Sequence, residues 1–84
     1  MNIRHVINDL RLADKMCCDG RYSTAAHMAL FAARMALACR SKRRIDVARD
    51  ALKLASWCEY HLSKGTHAEK SEAGRIRVEW GLDW

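Results

Sequence analysis

The chain has 84 residues, half of them hydrophobic, and its 15 Lys and Arg against 10 Asp and Glu give a net charge of +5. This hydrophobic content excludes a disordered chain, and the length limits the protein to a single small domain over residues 1–84. Proline is absent and only four residues are glycine, so the composition favours long helices. We predict an all-α fold, a small bundle of three to four helices built as two helical hairpins, with an extended aromatic C-terminal tail.

The first predicted helix covers residues 2–18. Its apolar residues recur at intervals of three and four positions, which is the spacing of an amphipathic helix. Asp19 and Gly20 follow it and form the clearest turn signal in the chain, because glycine readily adopts a positive φ. Residues 2–18 are therefore predicted to be the leading helix of the first hairpin.

The second predicted helix runs from about Tyr22 to about Arg40 and is apolar on two opposite sides. Leu30 and Leu37 lie opposite a face that carries Phe31. A helix that is apolar nearly all round is a buried one. This helix is therefore either the centre of the bundle or offers one face to a partner, and Leu30 and Leu37 are candidates for a second apolar face or a homodimer contact. The narrow polar stripe that remains for water carries Ser23, His27, Arg34 and Ser41.

The start of this helix resembles part of a known repeat. Residues 20–25, read as Gly-Arg-Tyr-Ser-Thr-Ala, with further alanines after them, are similar to the second half of a tetratricopeptide repeat. In that family such residues let paired helices pack closely. After Gly65 the pattern departs, with His67 in the tyrosine position and Lys70 where alanine is expected, and the glycines are further apart than the family's period of about 34 residues. We interpret the similarity as shared helical-hairpin packing rather than family membership.

The third predicted helix covers residues 45–63. Because residues 41–44 contain neither glycine nor proline, a single long helix over residues 22–63 is an alternative. Trp57 and Tyr60 project away from the predicted core face of the third helix. Exposed aromatic residues are enriched at binding hot spots. The competing interpretation is that a fourth helix or the C-terminal tail covers Trp57.

The C-terminal segment carries two conflicting patterns. Thr66 and Glu69 form a capping box, which predicts the start of a fourth helix. We favour a helix to about Trp80, followed by an extended tail packed through Trp84. Residues 76–84 also alternate apolar and polar side chains, which is typical of a half-buried strand. Such a strand would need a second copy of the chain or a partner's sheet edge to pair with. This segment is therefore a candidate docking tail.

The strongest electrostatic signal is a basic cluster over residues 40–49. Such a cluster can neutralise phosphates, so a nucleic-acid-binding protein is the alternative function. No aromatic residue is interleaved to stack on unpaired bases, and cations near a helix C-terminus also have an ordinary structural role. The cluster consists of Arg40, Lys42, Arg43, Arg44 and Arg49, with Asp46 among them.

The sequence gives little support for a metal site, a cofactor or catalysis. The four cysteines are expected to be reduced, and those on apolar helix faces act as small hydrophobic residues. Cys58 and His61 are one helical turn apart, but zinc sites usually show two such short spacings, so we predict no metal site and no cofactor. The acidic residues are dispersed and no glycine-rich phosphate loop is present, so we predict no enzyme. The N-terminal residues resemble no export signal, and we expect a cytoplasmic protein with no membrane partner.

The sequence as a whole predicts a small non-catalytic module that binds another protein. We expect stoichiometric action as an inhibitor, adaptor or regulator of a larger protein, such as one that handles nucleic acid. A phage or mobile-element accessory protein in the host cytoplasm is the closest analogy. The predicted apolar anchors are Trp57, Tyr60, Trp80 and Trp84. The residues predicted to steer the partner and pair with its charges are Arg40, Arg43, Arg44 and Arg49.

Overall fold

The computed structural model describes residues 2–63 and 72–82, and within them it contains four helices and no strand. The radius of gyration is 11.8 Å, which is the size expected of a compact domain of this length. The predicted all-α bundle is confirmed. The helices are α1 (Ile3–Cys18), α2 (Tyr22–Ala38), α3 (Arg44–Ser63) and α4 (Glu72–Glu79).

The turn after α1 forms where the sequence predicts it. Gly20 has φ +83°, and its N–H donates to the Cys17 carbonyl while the N–H of Arg21 donates to the Met16 carbonyl. These two bonds are the Schellman pattern, which satisfies carbonyls at a helix end and favours glycine at its left-handed position. A sharp reversal follows, so α1 and α2 form the predicted hairpin.

The chain leaves the helical conformation between α2 and α3, so the alternative of one long helix over residues 22–63 is wrong. Cys39 is extended, with ψ 153°, and its side chain is buried. Ser41 then starts the next helix, because its Oγ accepts from the Arg43 N–H and its carbonyl accepts from the Arg44 N–H. A buried side chain and a serine cap replace the glycine or proline that would have marked this break in the sequence.

Alanines place α2 in the middle of the bundle. Ala29, Ala32, Ala33 and Ala36 are fully buried, and α2 packs against α1 on one side and α3 on the other. Small side chains let the helix backbones approach closely, so two neighbours fit around one helix. Of the two alternatives for this helix, the structure shows the one in which neighbouring helices pack around it.

Two expectations about the surface of α2 are corrected by the packing. Leu37 is only 4% exposed and packs in the same core as Ile76 of α4, while Leu30 is partly buried against that core, so they form no free second face for a homodimer. Phe31 instead lies on the outer stripe with His27 and is 55% exposed. The bundle is only 15 Å thick, so even its central helix has a side toward solvent.

The last helix is positioned by a residue distant in sequence. The carboxylate of Glu59 on α3 accepts from the N–H groups of Glu72 (3.0 Å) and Ala73 (3.2 Å) at the start of α4. This interaction satisfies amides that a helix N-terminus leaves unpaired and places a negative charge at the positive end of the helix dipole. An ion pair between Arg34 and Glu72 adds a tie from α2 to α4.

A strand was the alternative for residues 76–84, but the chain is helical there up to Glu79. Ile76 lies inside α4, and a second Schellman pattern ends that helix at Gly81, which has φ +64°. The strand interpretation of residues 76–84 is therefore wrong over the part that is described, and Leu82 packs into the core. The predicted capping box at residues 66–69 and the predicted contact of Trp84 lie outside the described residues.

None of the helices in the described part of the chain is both long and apolar enough to span a bilayer. The longest, α3, carries charged residues along its length and turns one face to the core and the other to solvent.

Candidate functional site

The outer face of α3 exposes two large aromatic side chains. Ala48, Ala51 and Cys58 are fully buried on the opposite side of the helix. At 100° per residue this leaves Trp57 and Tyr60 facing outward, and they are 57% and 58% exposed. The interpretation that a fourth helix covers Trp57 is therefore wrong, and the end of the tail, residues 83–84, lies outside the described residues.

These side chains belong to a cluster of four rings, which we name the aromatic patch: Tyr22, Trp57, Tyr60 and His61. The His61 ring stacks on Tyr22 with centroids 4.7 Å apart and the rings nearly parallel. Trp57 meets the same imidazole edge-on at 4.5 Å, and Tyr60 does so at 6.0 Å. Such offset and edge-to-face pairs hold rings in defined orientations. The patch is therefore an ordered surface, with His61 at its centre.

A shallow recess of about 370 Å³ opens beside the patch. It is lined by Trp57 and Tyr60 together with Lys53 and Ser56. The rings supply apolar area, while the ammonium group and the hydroxyl supply polar contacts at the edge. This mixture of rigid aromatic surface and a few polar groups is typical of the centre of a protein–protein interface.

The other two predicted tryptophan anchors are not part of this patch. Trp80 is 49% exposed just after the end of α4, where it lines a different recess with Arg34 and Leu37. Trp84 lies outside the described residues. The structure therefore brings together two of the four predicted anchors, Trp57 and Tyr60.

The four predicted arginines divide between two places. Arg40, Arg43 and Arg44 are exposed at the turn between α2 and α3. Arg49 lies further along α3, is partly buried, and has its guanidinium 3.8 Å from the Asp46 carboxylate. Its Nε is buried and has no hydrogen-bond partner within the described part of the chain. Arg49 therefore belongs to the packing of α3 more than to the exposed cluster.

Two members of the aromatic patch were not among the predicted site residues. Tyr22 begins α2, where the sequence gives it only a role in hairpin packing, and His61 was considered for a weak zinc pair with Cys58. The helical spacing of Trp57 and His61, four residues apart, is the one local signal of their contact. The contact of Tyr22 with His61 depends on how α2 packs on α3, which no local pattern shows.

The buried Cys58 thiol is not a reactive group. Burial raises the pKa of the Cys58 thiol from 9.0 to about 12, and a hydrogen bond with the Cys17 thiol adds to the rise. The thiolate is the nucleophilic form, so Cys58 is inert near neutral pH. Among the described residues, no group of three or more His, Cys, Asp or Glu side chains is placed to hold a metal ion.

Comparisons with protein-family models, with curated proteins and with solved structures give no match to this chain. Its function is therefore inferred from the chemistry of its own surface. The aromatic patch, defined above, combines ordered rings, high exposure and a neighbouring ammonium group at Lys53. It is the strongest candidate functional site on the described surface.

Proposed function

We propose that the protein is a small non-catalytic binding module that docks on another protein through the aromatic patch on α3. It acts stoichiometrically, as an inhibitor, adaptor or regulator of a larger protein. The observation that carries the proposal is the exposure of Trp57 and Tyr60 within an ordered cluster of rings. Tryptophan and tyrosine are the residues most enriched among those that dominate binding energy.

The energetics of the patch support docking. Burying a large aromatic side chain on a partner contributes roughly 1.5–3 kcal/mol. His61 already holds the rings in place, so binding costs less side-chain entropy than it would for mobile residues. Lys53 at the edge of the recess favours a partner with an acidic group beside an apolar centre.

The cellular setting belongs to the same proposal. The net charge is +5, and among the described residues no group of three or more His, Cys, Asp or Glu side chains is placed to hold a metal ion. The analogy is with small accessory proteins of phages and mobile elements, which bind host proteins in the cytoplasm through a single docking surface. We place this protein in that group.

Affinity capture from the native cell tests the proposal. The tagged wild-type protein should retain a discrete partner in a one-to-one ratio, measured by quantitative mass spectrometry. Trp57→Ala and Tyr60→Ala should each weaken retention by at least tenfold, which corresponds to a loss of about 1.4 kcal/mol.

The matched control is Phe31→Ala. Phe31 is as exposed as Trp57 but lies on α2, outside the patch. Its substitution should leave retention unchanged. Equal losses in the Phe31 and Trp57 variants, or a wild-type protein that retains nothing above background, would contradict the proposed function.

A further inference from the structure

One end of the bundle concentrates exposed positive charge. The turn between α2 and α3 carries four cations within five residues, and all four are exposed. Arg4 joins them from the first turn of α1. We name this surface the basic end and define it by five residues: Arg4, Arg40, Lys42, Arg43 and Arg44.

The topology brings Arg4 to this turn. Short connections at residues 19–21 and 39–43 make each successive pair of helices antiparallel, so α1 and α3 run in the same direction. Residues from the first half of each helix, such as Ile7 of α1 and Asp50 of α3, line one recess between them. The two helices therefore begin at the same end of the bundle, beside the turn.

Hydrogen bonds fix the backbone of the turn. The Ser41 side chain accepts from the Arg43 N–H at 3.1 Å, and the Ser41 carbonyl accepts from the Arg44 N–H at 3.2 Å. The bonded backbone presents Lys42 and Arg43 to solvent from a defined position. A polyanion therefore meets a preformed group of charges at this turn.

No ion pair within the described part of the chain neutralises the charge of the basic end. The three ion pairs found among residues 2–63 and 72–82 involve Arg34, Arg49 and Arg75, and none involves the five residues of the basic end. The nearest exposed carboxylate in sequence, Asp46, lies by Arg49. The combined field favours an anionic ligand.

We propose that the basic end binds the phosphate backbone of double-stranded nucleic acid without reading its sequence. Sequence readout needs several side chains carried to base edges by one element that enters a groove, whereas the five cations here come from a turn and from the starts of two helices. Unpaired bases need rings to stack on, and none of the five residues of the basic end is aromatic. Duplex phosphates require neither.

This site is independent of the proposed docking surface. The aromatic patch includes Tyr22, which follows the turn between α1 and α2, and the basic end lies at the other turn. A partner protein and a duplex can therefore be bound at the same time. The module would then act as a bridge that holds its protein partner near nucleic acid.

The salt dependence of duplex binding tests the proposal. Binding of a short DNA duplex, followed by fluorescence anisotropy over a salt series, should give a log–log slope of about −4.5, since each of five neutralised phosphates contributes about −0.9. Lys42→Gln combined with Arg43→Gln should reduce the slope to about −2.7. Circular dichroism of each variant should show unchanged helix content, because both side chains are exposed.

Control variants test whether duplex binding depends on the basic end rather than on net charge or on the aromatic patch. Arg11→Gln combined with Lys15→Gln removes the same charge from the exposed side of α1 and should leave the slope at about −4.5. Trp57→Ala combined with Tyr60→Ala should also leave duplex binding unchanged, even though it abolishes partner capture. The two proposals can therefore fail separately.

Several outcomes would overturn the proposal. One is the absence of duplex binding at low salt, and another is an equal loss of slope in the α1 control variant. Tighter binding to the single strand, lost in the Trp57 and Tyr60 variant, would assign nucleic-acid contact to the aromatic patch instead. Binding to phosphatidylserine vesicles with none to the duplex would assign the basic end to a membrane surface.

Discussion

At the scale of single residues, Glu59 has a structural role that no local sequence pattern predicts. It satisfies two amides at the start of α4 from a neighbouring helix. The sequence showed Glu59 only as one of several dispersed acids, because its partners are more than three helical turns away along the chain. Trp57 and Tyr60, in contrast, were predictable as outward-facing, since helical spacing alone separates them from the buried residues of α3.

Replacing Glu59 should release the start of α4. In Glu59→Ala the amides of Glu72 and Ala73 lose their acceptor, at a cost of about 1–2 kcal/mol. Hydrogen exchange at α4 should accelerate about tenfold while exchange in α2 changes little. Glu79→Gln, at an exposed position on the same helix, is the control and should have no effect. Unchanged exchange at α4 in the Glu59 variant would refute this role.

The Cys58 thiol should make stability depend on alkaline pH. The unfolded chain loses this proton near pH 9, whereas the folded chain keeps it until about pH 12. The contribution is therefore fully present below pH 9 and is lost as the pH rises from 9 to 12, with a slope of up to about 1.4 kcal/mol per pH unit. Urea denaturation should show a shallower decline in Cys58→Ala and the wild-type decline in Cys18→Ala, whose thiol is exposed. Identical pH profiles in wild type and Cys58→Ala would contradict the assignment.

At the scale of helices, local patterns predicted three elements well. The bounds of α1, α2 and α3 follow from apolar periodicity, and the first turn follows from Gly20. The break before α3 was ambiguous because Ser41 carries it with no glycine or proline nearby. The outward position of Phe31 was also missed, since a helix with apolar residues on two sides does not reveal which of them its neighbours will cover.

The close approach around α2 should make its buried alanines intolerant of larger side chains. Ala32 is fully buried between neighbouring helices, so Ala32→Leu forces them apart at a cost of about 1–3 kcal/mol. Ala38→Leu, at an exposed position at the end of the same helix, should change stability by less than about 0.5 kcal/mol. Chemical denaturation measures both variants. If the two substitutions had equal effects, α2 would not be the tightly packed central helix.

At the scale of the whole molecule, the fold separates two surfaces that the sequence treated as one. The predicted site grouped tryptophans and tyrosine with arginines, whereas the bundle places the aromatic patch beside the α1–α2 turn and the basic end beside the α2–α3 turn. Sequence spacing gave the exposure of each residue but not its neighbours, because those depend on how three helices pack. The separation keeps the two proposed binding surfaces apart.

The central claim is that the aromatic patch is the surface that meets a partner protein, and site-specific photo-crosslinking in the native cell tests it most directly. A photoreactive phenylalanine analogue at Tyr60 should give a covalent adduct with one discrete protein, while the same analogue at Phe31, equally exposed on α2, should give none. A discrete adduct from position 31 with none from position 60, or the same adduct from both, would contradict the account.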